Sequence, residues 1–414
     1  MVLGSSFSIG AGPLVRFAAF LVIAWLLFHI FQGIYQAYVS PLRHVPGPKA
    51  WVIFPAIPRI KTLLGTFDHD VRLLHQKYGN IVRHGPNAVS FTTSNAWKSI
   101  YGHGHRQFPK FNASKQLDPQ SNILTADDEN HARIRRGVSH AFSPKSLAEQ
   151  ESIVHEYVDK LIRRLSDVAE SQLPTEIGRW FHIASFDIIG DLTFGESLGG
   201  LDNNELHHVV TSVLLFIERA KKIFELDSLL GPLSWLIMPL LARGVEKGFM
   251  DQFHYTRMAV SRRLANDSVI SRKDFMQGLL RGRAEKEINS IEEIITNANT
   301  LFVAGSDTTA TLMTACTFYL LSTPEAHQRA VEEVRQAFTS PAEITFTNAT
   351  ARLPYLLAVL NETFRLYPPV PTSLERIVPD GEEPVYIEGM YIPTGVRTAS
   401  FLPSNIHLSS ISSY

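Results

Sequence analysis

The chain has 414 residues, of which 45% are hydrophobic and 19% are charged, and its formal net charge is −1. This composition is ordinary for a globular protein and argues against disorder. The balanced charge gives no electrostatic basis for binding nucleic acid, so we expect no nucleic-acid partner. A single cysteine, Cys316, excludes a disulfide framework and a cysteine-rich metal site.

The first predicted element is a helix that is apolar and long enough to cross a membrane. Residues 17–34 read FAAFLVIAWLLFHIFQGI, in which only His29 and Gln32 are strongly polar. Such a stretch spans about 27 Å as an α-helix, close to the thickness of a bilayer core. A cleaved secretory signal is the alternative, but the stretch is long for one and no A-x-A-like site follows. We therefore predict a tail over residues 1–12 and a retained anchor over residues 13–38.

The segment after the anchor is predicted to orient the rest of the chain against the membrane. Prolines and a glycine in PLRHVPGP, residues 41–48, cannot continue a helix, so residues 39–50 are interpreted as a stiff hinge rather than an ordinary loop. Only Arg16 lies just before the apolar stretch of residues 17–34, whereas several basic residues follow that stretch closely. This positive excess predicts that the body faces the cytosol. The basic residues that follow are Arg43, Lys49, Arg59 and Lys61.

Residues 51–396 are predicted to form one large domain that is mainly α, in the α+β class. The run ESIVHEYVDKLIRRLSDVAE, residues 151–170, has apolar residues at helical spacing with charges between them, and the pattern is similar from about 117 to 340. Strands are predicted near both ends. NIVRHGPNAVSFTTS, residues 80–94, is typical of a hairpin, and EPVYIEGMYIPTGV, residues 383–396, is typical of strands and turns.

Residues 304–309, AGSDTT, place an acid and hydroxyl side chains at the centre of a long, mostly apolar run. Glycine, serine, aspartate and threonine disfavour helix interiors, so this concentration predicts a widened, hydrated turn that faces a ligand. The small pair Ala304–Gly305 would let a flat ligand approach the backbone. The pair Asp307–Thr308 can hold water and transfer protons. The alternative is a kinked helix in which Asp307 reaches solvent.

A second motif lies in LPYLLAVLNETFRLYPPVP, residues 353–371. Glu362 and Arg365 are three residues apart, so they share one helix face and can form an ion pair. The prolines that follow should end this helix sharply. Because the neighbouring residues 356–360 are mostly apolar, we predict a buried pair, although an exposed surface pair is the alternative.

A third motif, ENHARIRRGVSHAFSPKSL, covers residues 129–147. It clusters Arg133, Arg135 and Arg136 next to His131. One or two of these arginines could neutralise an anionic group of a ligand, although a solvated basic face is the simpler interpretation of the cluster alone.

Together and in this order, these motifs resemble one family, the haem-thiolate monooxygenases called cytochrome P-450, from about residue 15 to about residue 396. The resemblance implies the fold of that family and a bound haem (heme). It implies that Arg135, on the family's helix C, meets a haem propionate. His131 stands where the family usually has tryptophan and could keep a hydrogen bond to that propionate. Arg376, which carries no prediction alone, falls where a second propionate-binding arginine is common.

The resemblance also assigns roles to the other two motifs. AGSDTT matches the distal helix of the family, which implies that Ala304 and Gly305 lie against the haem. Asp307 and Thr308 would be the acid–alcohol pair that delivers protons during oxygen activation. Glu362 and Arg365 match the structural E-x-x-R motif of helix K.

The anchor and the hinge are similar to those of membrane-bound members, which implies a single-pass protein of the endoplasmic reticulum with its body in the cytosol. The run LPYLLAVLNE before E-x-x-R is similar to that of fungal members. Such enzymes use O₂ and electrons from an NADPH-cytochrome reductase to hydroxylate lipophilic secondary metabolites. These are the expected partners and the expected substrate class.

The resemblance ends after Gly395, and residues 397–414 are predicted to be an atypical tail. In the family a cysteine thiolate, from a Gly- and Phe-rich loop beyond helix K, holds the iron. The sequence contains no such loop. Cys316 follows Thr308 on the same helix, about 12 Å further along its axis, so we interpret it as a packing residue and predict no metal ligand.

We therefore expect a truncated and inactive member of the family, in which Glu362 and Arg365 also lack a customary arginine partner. Two alternatives remain. The first is an active monooxygenase whose C-terminus has been misread, which a downstream F-x-x-G-x-x-x-C-x-G would support. The second is a non-catalytic, membrane-anchored binding or scaffold protein, which stable expression without haem would favour.

Overall fold

The structure, a computed structural model, describes a discontinuous set of residues that belong to two compact units. Unit 1 is drawn from residues 1–108 and 374–401, and unit 2 from residues 109–373 and 402–414. The described residues are 11–102, 104, 107–111, 122–172, 174–235, 243–266, 273–288, 290–371, 374–381 and 383–400.

Unit 1 combines helices with two small sheets. Its helices are α1 (Ala11–Tyr38), α2 (Lys49–Ile53), α3 (Ala56–Leu63), α4 (Phe67–Tyr78) and α5 (Ser94–Tyr101). Its strands are β1 (Ile81–Gly85), β2 (Ala88–Phe91), β3 (Arg376–Ile377), β4 (Val385–Ile387), β5 (Met390–Ile392) and β6 (Arg397–Ser400). The predicted hairpin is confirmed as β1 and β2, and the strands predicted within residues 383–396 are confirmed as the antiparallel pair of β4 and β5.

The larger sheet has the order β1-β2-β6-β3, with β6 parallel to β2 and antiparallel to β3. Strand β6 is therefore an inner strand, and Thr398 and Ala399 on it are buried. The first four residues of the segment predicted as an atypical tail thus form part of a sheet. The rest of that segment, residues 401–414, lies outside the described residues.

Helix α1 covers the predicted anchor. Within it, Val15–Tyr38 is long and apolar enough to cross a membrane, and its large apolar side chains are exposed. Exposed apolar side chains around a whole helix are favourable in lipid and unfavourable in water. The N-terminal tail predicted over residues 1–12 lies outside the described residues up to residue 10, and α1 begins at Ala11.

The C-terminal end of α1 is fixed to the rest of unit 1. Gly33 lies so close to the backbone of α2 that a Cβ atom there would collide with it. Nη1 of Arg83 donates to the carbonyl oxygen of Gln36 at 3.0 Å, and Nζ of Lys49 donates to that of Ala37 at 2.8 Å. Cations at this end satisfy the last carbonyls and complement the helix dipole. The predicted hinge therefore follows a helix whose C-terminal end is already held by packing and hydrogen bonds.

Unit 2 is a helical bundle. Its helices are α6 (Asp128–Ser139), α7 (Pro144–Glu170), α8 (Ile177–Phe194), α9 (Gly200–Asn203), α10 (His208–Leu230), α11 (Arg243–Asn266), α12 (Phe275–Ala284), α13 (Ile291–Ser322), α14 (Pro324–Ala337), α15 (Phe346–Arg352) and α16 (Pro354–Leu366). The prediction of a mainly helical, α+β protein is confirmed.

Helix α13 is the centre of unit 2. It packs along α8, where Phe302 meets Phe186 edge-on with ring centroids 5.5 Å apart. Ser290 caps its first turn by accepting a hydrogen bond from the backbone of Glu293 at 3.1 Å. The apolar core on both sides of α8 and α13 gives the AGSDTT segment a rigid support.

Candidate active site

The AGSDTT segment is continuous α-helix, so the widened turn that the sequence predicts is not observed. The hydroxyl groups explain why the helix stays regular. Oγ1 of Thr308 donates to the carbonyl oxygen of Ala304 at 2.6 Å, and Oγ1 of Thr309 donates to that of Gly305 at 2.9 Å. These side chains bond back to the helix instead of competing with it. The Thr308 oxygen keeps its lone pairs for an incoming donor.

Gly305 and Ala304 face different surroundings. A Cβ atom on Gly305 would lie 2.6 Å from Cδ1 of Ile189, so a larger residue there would displace the end of the Ile189 side chain on α8. The role of Gly305 in the approach of a ligand stays a prediction. Ala304 is exposed, and Thr308 lies one turn beyond it on the same side of the helix. The surface open to a ligand is thus formed by Ala304 and Thr308.

Asp307 is bound to α8. Nε2 of His182 lies 3.1 Å from Oδ1 of Asp307, and Nδ1 of His182 lies 2.8 Å from the carbonyl oxygen of Gly178. The side chains of His182 and Asp307 are 23% and 26% exposed. The hydrogen bond to Asp307 raises the pKa of His182, against the opposing effect of burial. Asp307 and Thr308 are therefore adjacent in sequence but have different contacts, since Asp307 binds His182 of α8 and Thr308 binds a carbonyl of its own helix.

Sequence reasoning did not identify His182. The residue stands in RWFHIASF, within a helix that is otherwise largely apolar on the side that meets α13. The one sequence feature that could have indicated a role was a single histidine in a largely apolar helix. It did not indicate which residue His182 contacts. Only the packing of α8 against α13 brings it to Asp307.

The arginine cluster on α6 divides into residues that are paired and one that is not. Arg133 forms a two-pronged ion pair with Glu293, with nitrogen–oxygen distances of 2.6 and 3.0 Å, and this pairing raises its pKa. Arg136 pairs with Glu287 at 3.1 Å. Arg135 is exposed and makes no hydrogen bond or ion pair with any described residue. It is the arginine of this cluster that is available to an anionic ligand.

The other two residues predicted to bind a haem propionate, His131 and Arg376, are less exposed than Arg135. His131 is half-buried one turn before Arg135 on the same helix. Arg376, in unit 1, donates from Nη1 to the carbonyl oxygen of Phe108 at 3.0 Å and lies 5.8 Å from the centre of the Tyr101 ring. The roles of both residues toward a propionate stay predictions.

The Glu362–Arg365 pair forms as predicted on α16, but the prediction of burial is wrong. Nε of Arg365 donates to Oε2 of Glu362 at 2.7 Å, while the side chains are 21% and 54% exposed. Thr363, between them in sequence, is the buried position of this turn. Helix α16 thus turns its Thr363 side inward and leaves Glu362 more than half exposed. The helix ends at Leu366, before the prolines, as predicted.

Cys316 is buried on α13, as predicted for a packing residue. Its thiol is hydrogen-bonded to the side chain of Thr363, and burial raises its pKa, so the neutral thiol is favoured. Ligation of iron by Cys316 would therefore require the loss of this proton and of the hydrogen bond with Thr363. The chain has no other cysteine.

The described residues therefore fit one part of a haem-thiolate site. Arg135 is a cation with free donors for a propionate, and Ala304 leaves the surface of α13 open to a flat ligand. No group of three or more His, Cys, Asp and Glu in the described ranges could hold a metal ion, and Cys316, the single cysteine of the sequence, is buried.

Comparisons with known proteins settle the family. The sequence model of cytochrome P450 matches residues 45–407, and so extends beyond residue 396, where the predicted domain ends. The chain is 41% identical over 390 residues to cytochrome P450 monooxygenase olcB of Penicillium canescens, with 92% of this chain and 78% of that protein covered. This chain belongs to the cytochrome P450 family, and the recognition made from its motifs is confirmed.

Two further relatives carry names that state a reaction. The trichothecene C-4 hydroxylase of Trichoderma arundinaceum is 41% identical over 370 residues, with 88% of this chain and 73% of that protein covered. The averantin hydroxylase of Dothistroma septosporum is 34% identical over 390 residues, with 91% and 70% covered. The relatives are fungal monooxygenases and hydroxylases, as the style of the sequence predicts.

Proposed function

We propose that this protein is a membrane-anchored member of the haem-thiolate monooxygenases that hydroxylate lipophilic secondary metabolites in fungi. The observation that carries the proposal is the surface of α13, where Ala304 is exposed and Asp307 and Thr308 stand side by side. The hydroxylases among its relatives support the reaction class. A bound haem would supply the oxygen-activating chemistry.

The residues of this chain have separate tasks in that proposal. Arg135 and Arg376, with a hydrogen bond from His131, would neutralise the haem propionates. Ala304 would give a flat group close access to α13. The Thr308 hydroxyl would accept a proton from Asp307 or water and donate one toward the oxygen side of the site.

The proposal includes a place in the cell. Helix α1 would hold the protein in the membrane of the endoplasmic reticulum, with the body in the cytosol, where an NADPH-cytochrome reductase supplies electrons. The basic residues that follow α1, among them Arg43 and Lys49, support this orientation. A protease-protection assay on sealed microsomes would check it, since a body on the lumenal side would remain intact when protease is added outside.

We further propose that the 414-residue chain does not bind haem through a thiolate by itself, and is therefore inactive in this form. The buried, hydrogen-bonded thiol of Cys316 supports this. The test is the absorption spectrum of the reduced, CO-bound chain, expressed in membranes with haem supplied. We expect no thiolate-type Soret band.

A thiolate-type band in the native chain that disappears in Cys316→Ser would overturn this part of the proposal and establish an active enzyme. Haem titration gives a second test of the site. Arg135→Ala is expected to weaken haem binding, whereas Arg136→Ala, whose arginine is paired with Glu287, serves as the matched control. Equal effects of the two variants would remove the role of Arg135.

A further inference from the structure

The hydrogen bonds of His182 fix the number of protons in the His182–Asp307 pair. Nδ1 lies 2.8 Å from the carbonyl oxygen of Gly178, which can only accept, so Nδ1 carries a hydrogen. Nε2 lies 3.1 Å from Oδ1 of Asp307, and this contact is a hydrogen bond only if a second proton lies between the two atoms. The pair is therefore an imidazolium beside a carboxylate, or a neutral imidazole beside a carboxylic acid.

The electrostatic surroundings favour the imidazolium form. Two negative groups act on the His182 ring, Asp307 on α13 and Glu176 at the start of α8, and both favour the added proton. Partial burial opposes it. Both side chains keep about a quarter of their surface exposed, so water can replace a proton that leaves the pair.

The pair also holds the Asp307 carboxylate in one place. His182 binds Oδ1, while Oδ2 makes no hydrogen bond to any described residue. Thr308 follows directly and has its hydroxyl on the open surface next to Ala304. Asp307 therefore has one oxygen that accepts from His182 and another that can accept a hydrogen bond from a water molecule.

We propose that His182 is a positioning residue for Asp307, which anchors the carboxylate on α8 and keeps a transferable proton beside it at neutral pH. In the transfer, the Nε2–H bond breaks and an O–H bond forms on Asp307. His182 becomes a neutral imidazole that retains its Nδ1–H bond to Gly178. Asp307 then passes the proton to water or to the Thr308 side, and solvent reprotonates His182. The inference rests on the proposed function in one respect, namely that Asp307 serves as the acid there.

The test is a pH titration of the histidines by ¹⁵N NMR, with the full chain in lipid nanodiscs. The chain has 16 histidines, so the His182 signals are assigned by their loss in His182→Gln. We expect His182 to titrate above the ordinary histidine range and Asp307→Asn to lower its pKa by about one unit, a tenfold loss in proton affinity. Asparagine keeps the size of the side chain and one acceptor oxygen.

Two further variants make the titration decisive. Glu176→Gln lies outside the contact between α8 and α13 and is expected to lower the pKa of His182 by less than Asp307→Asn does. Glu285→Gln is the matched control, because it removes an acid that lies 2.9 Å from another histidine, His140, and should leave the His182 titration unchanged. A His182 signal that does not respond to Asp307→Asn, or that shows a neutral ring at pH 6, would overturn the inference. The titration needs no haem, so its failure is distinct from the spectroscopic failure of the proposed function.

Discussion

Two pairs of opposite charge in unit 2 resemble each other in chemistry and differ in environment. Glu362 and Arg365 lie three residues apart on one helix, and the glutamate is 54% exposed. His182 and Asp307 come from two helices that are 125 residues apart in sequence, and both side chains are about three-quarters buried. The sequence predicts the first pair and gives no sign of the second.

The difference shows what spacing along a helix can and cannot establish. Spacing fixes which side chains share a face, so it predicts the contact between Glu362 and Arg365. Burial depends on which other helix or strand covers that face, and the spacing of residues along one helix does not predict it. An exposed pair gains little because water screens it, whereas a pair between packed helices also decides how the two helices fit.

A third pair extends the comparison to greater burial. Arg133 and Glu293 join α6 to α13, with side chains that are 19% and 10% exposed. Glu293→Gln would remove the carboxylate that Arg133 hydrogen-bonds in a largely buried position and leave only the weaker effects of Glu287 and Asp127, and we expect a loss of about 2 kcal/mol in the free energy of unfolding. Urea denaturation of the chain in detergent micelles, followed by circular dichroism, measures it.

The matched control for this prediction is Glu287→Gln. Its partner Arg136 is 63% exposed, so we expect a loss of about 0.5 kcal/mol or less. The substitution leaves the backbone oxygen of Glu287, which accepts a hydrogen bond from Arg133, in place, and the charge that it removes acts on Arg133 less than the charge of Glu293 does. Similar losses in the two glutamine variants would contradict the dependence on burial.

The His182–Asp307 pair is expected to be intermediate. Asp307→Asn replaces a charged acceptor by a neutral one between two packed helices, and we predict a loss of about 1.5 kcal/mol at pH 6. The same denaturation experiment measures it. A loss as small as that of Glu287→Gln would mean that the contact between α8 and α13 does not depend on this hydrogen bond.

The pH dependence of stability distinguishes a titrating pair from a fixed contact. The pKa of His182 is raised above its ordinary value of 6.5 in the folded chain. The stabilisation is therefore fully present below pH 6.5 and is lost as the pH rises through the folded pKa. We expect the native chain to lose stability across this window relative to His182→Gln, which can still donate to Asp307 but does not titrate. Parallel stability curves for the two proteins would contradict a raised pKa.

The elements that the sequence predicts well are those defined by local patterns. The apolar run before the prolines predicts α1, two short runs separated by Pro-Asn predict the hairpin of β1 and β2, and prolines predict the end of α16 at Leu366. Four motifs, counting Arg376, predict the family, because each motif alone is weak whereas their order along the chain is specific.

The features that the sequence does not predict depend on contacts between distant segments. The contact that Gly305 makes with Ile189 of α8 is not predicted, because the two residues are far apart in the sequence. The polar centre of α13 predicts a widened turn, yet the turn is α-helical, and Thr308 and Thr309 bond back to the carbonyls of their own helix. In both cases the residue types indicate that the position is unusual. The contacts that the residue makes there depend on neighbouring atoms that the sequence does not place.

The smallest expected effect belongs to the Glu362–Arg365 pair. Because Glu362 is more than half exposed, Glu362→Gln should change the free energy of unfolding by about 0.5 kcal/mol or less. The coupling energy from a double-mutant cycle with Arg365→Gln should also fall as salt is added, since salt weakens ion pairs between solvent-exposed charges. The coupling between His182 and Asp307 should respond less to salt. A large, salt-insensitive coupling for Glu362 and Arg365 would mean that the pair is covered in the folded chain, and would restore the burial that its apolar neighbours predict.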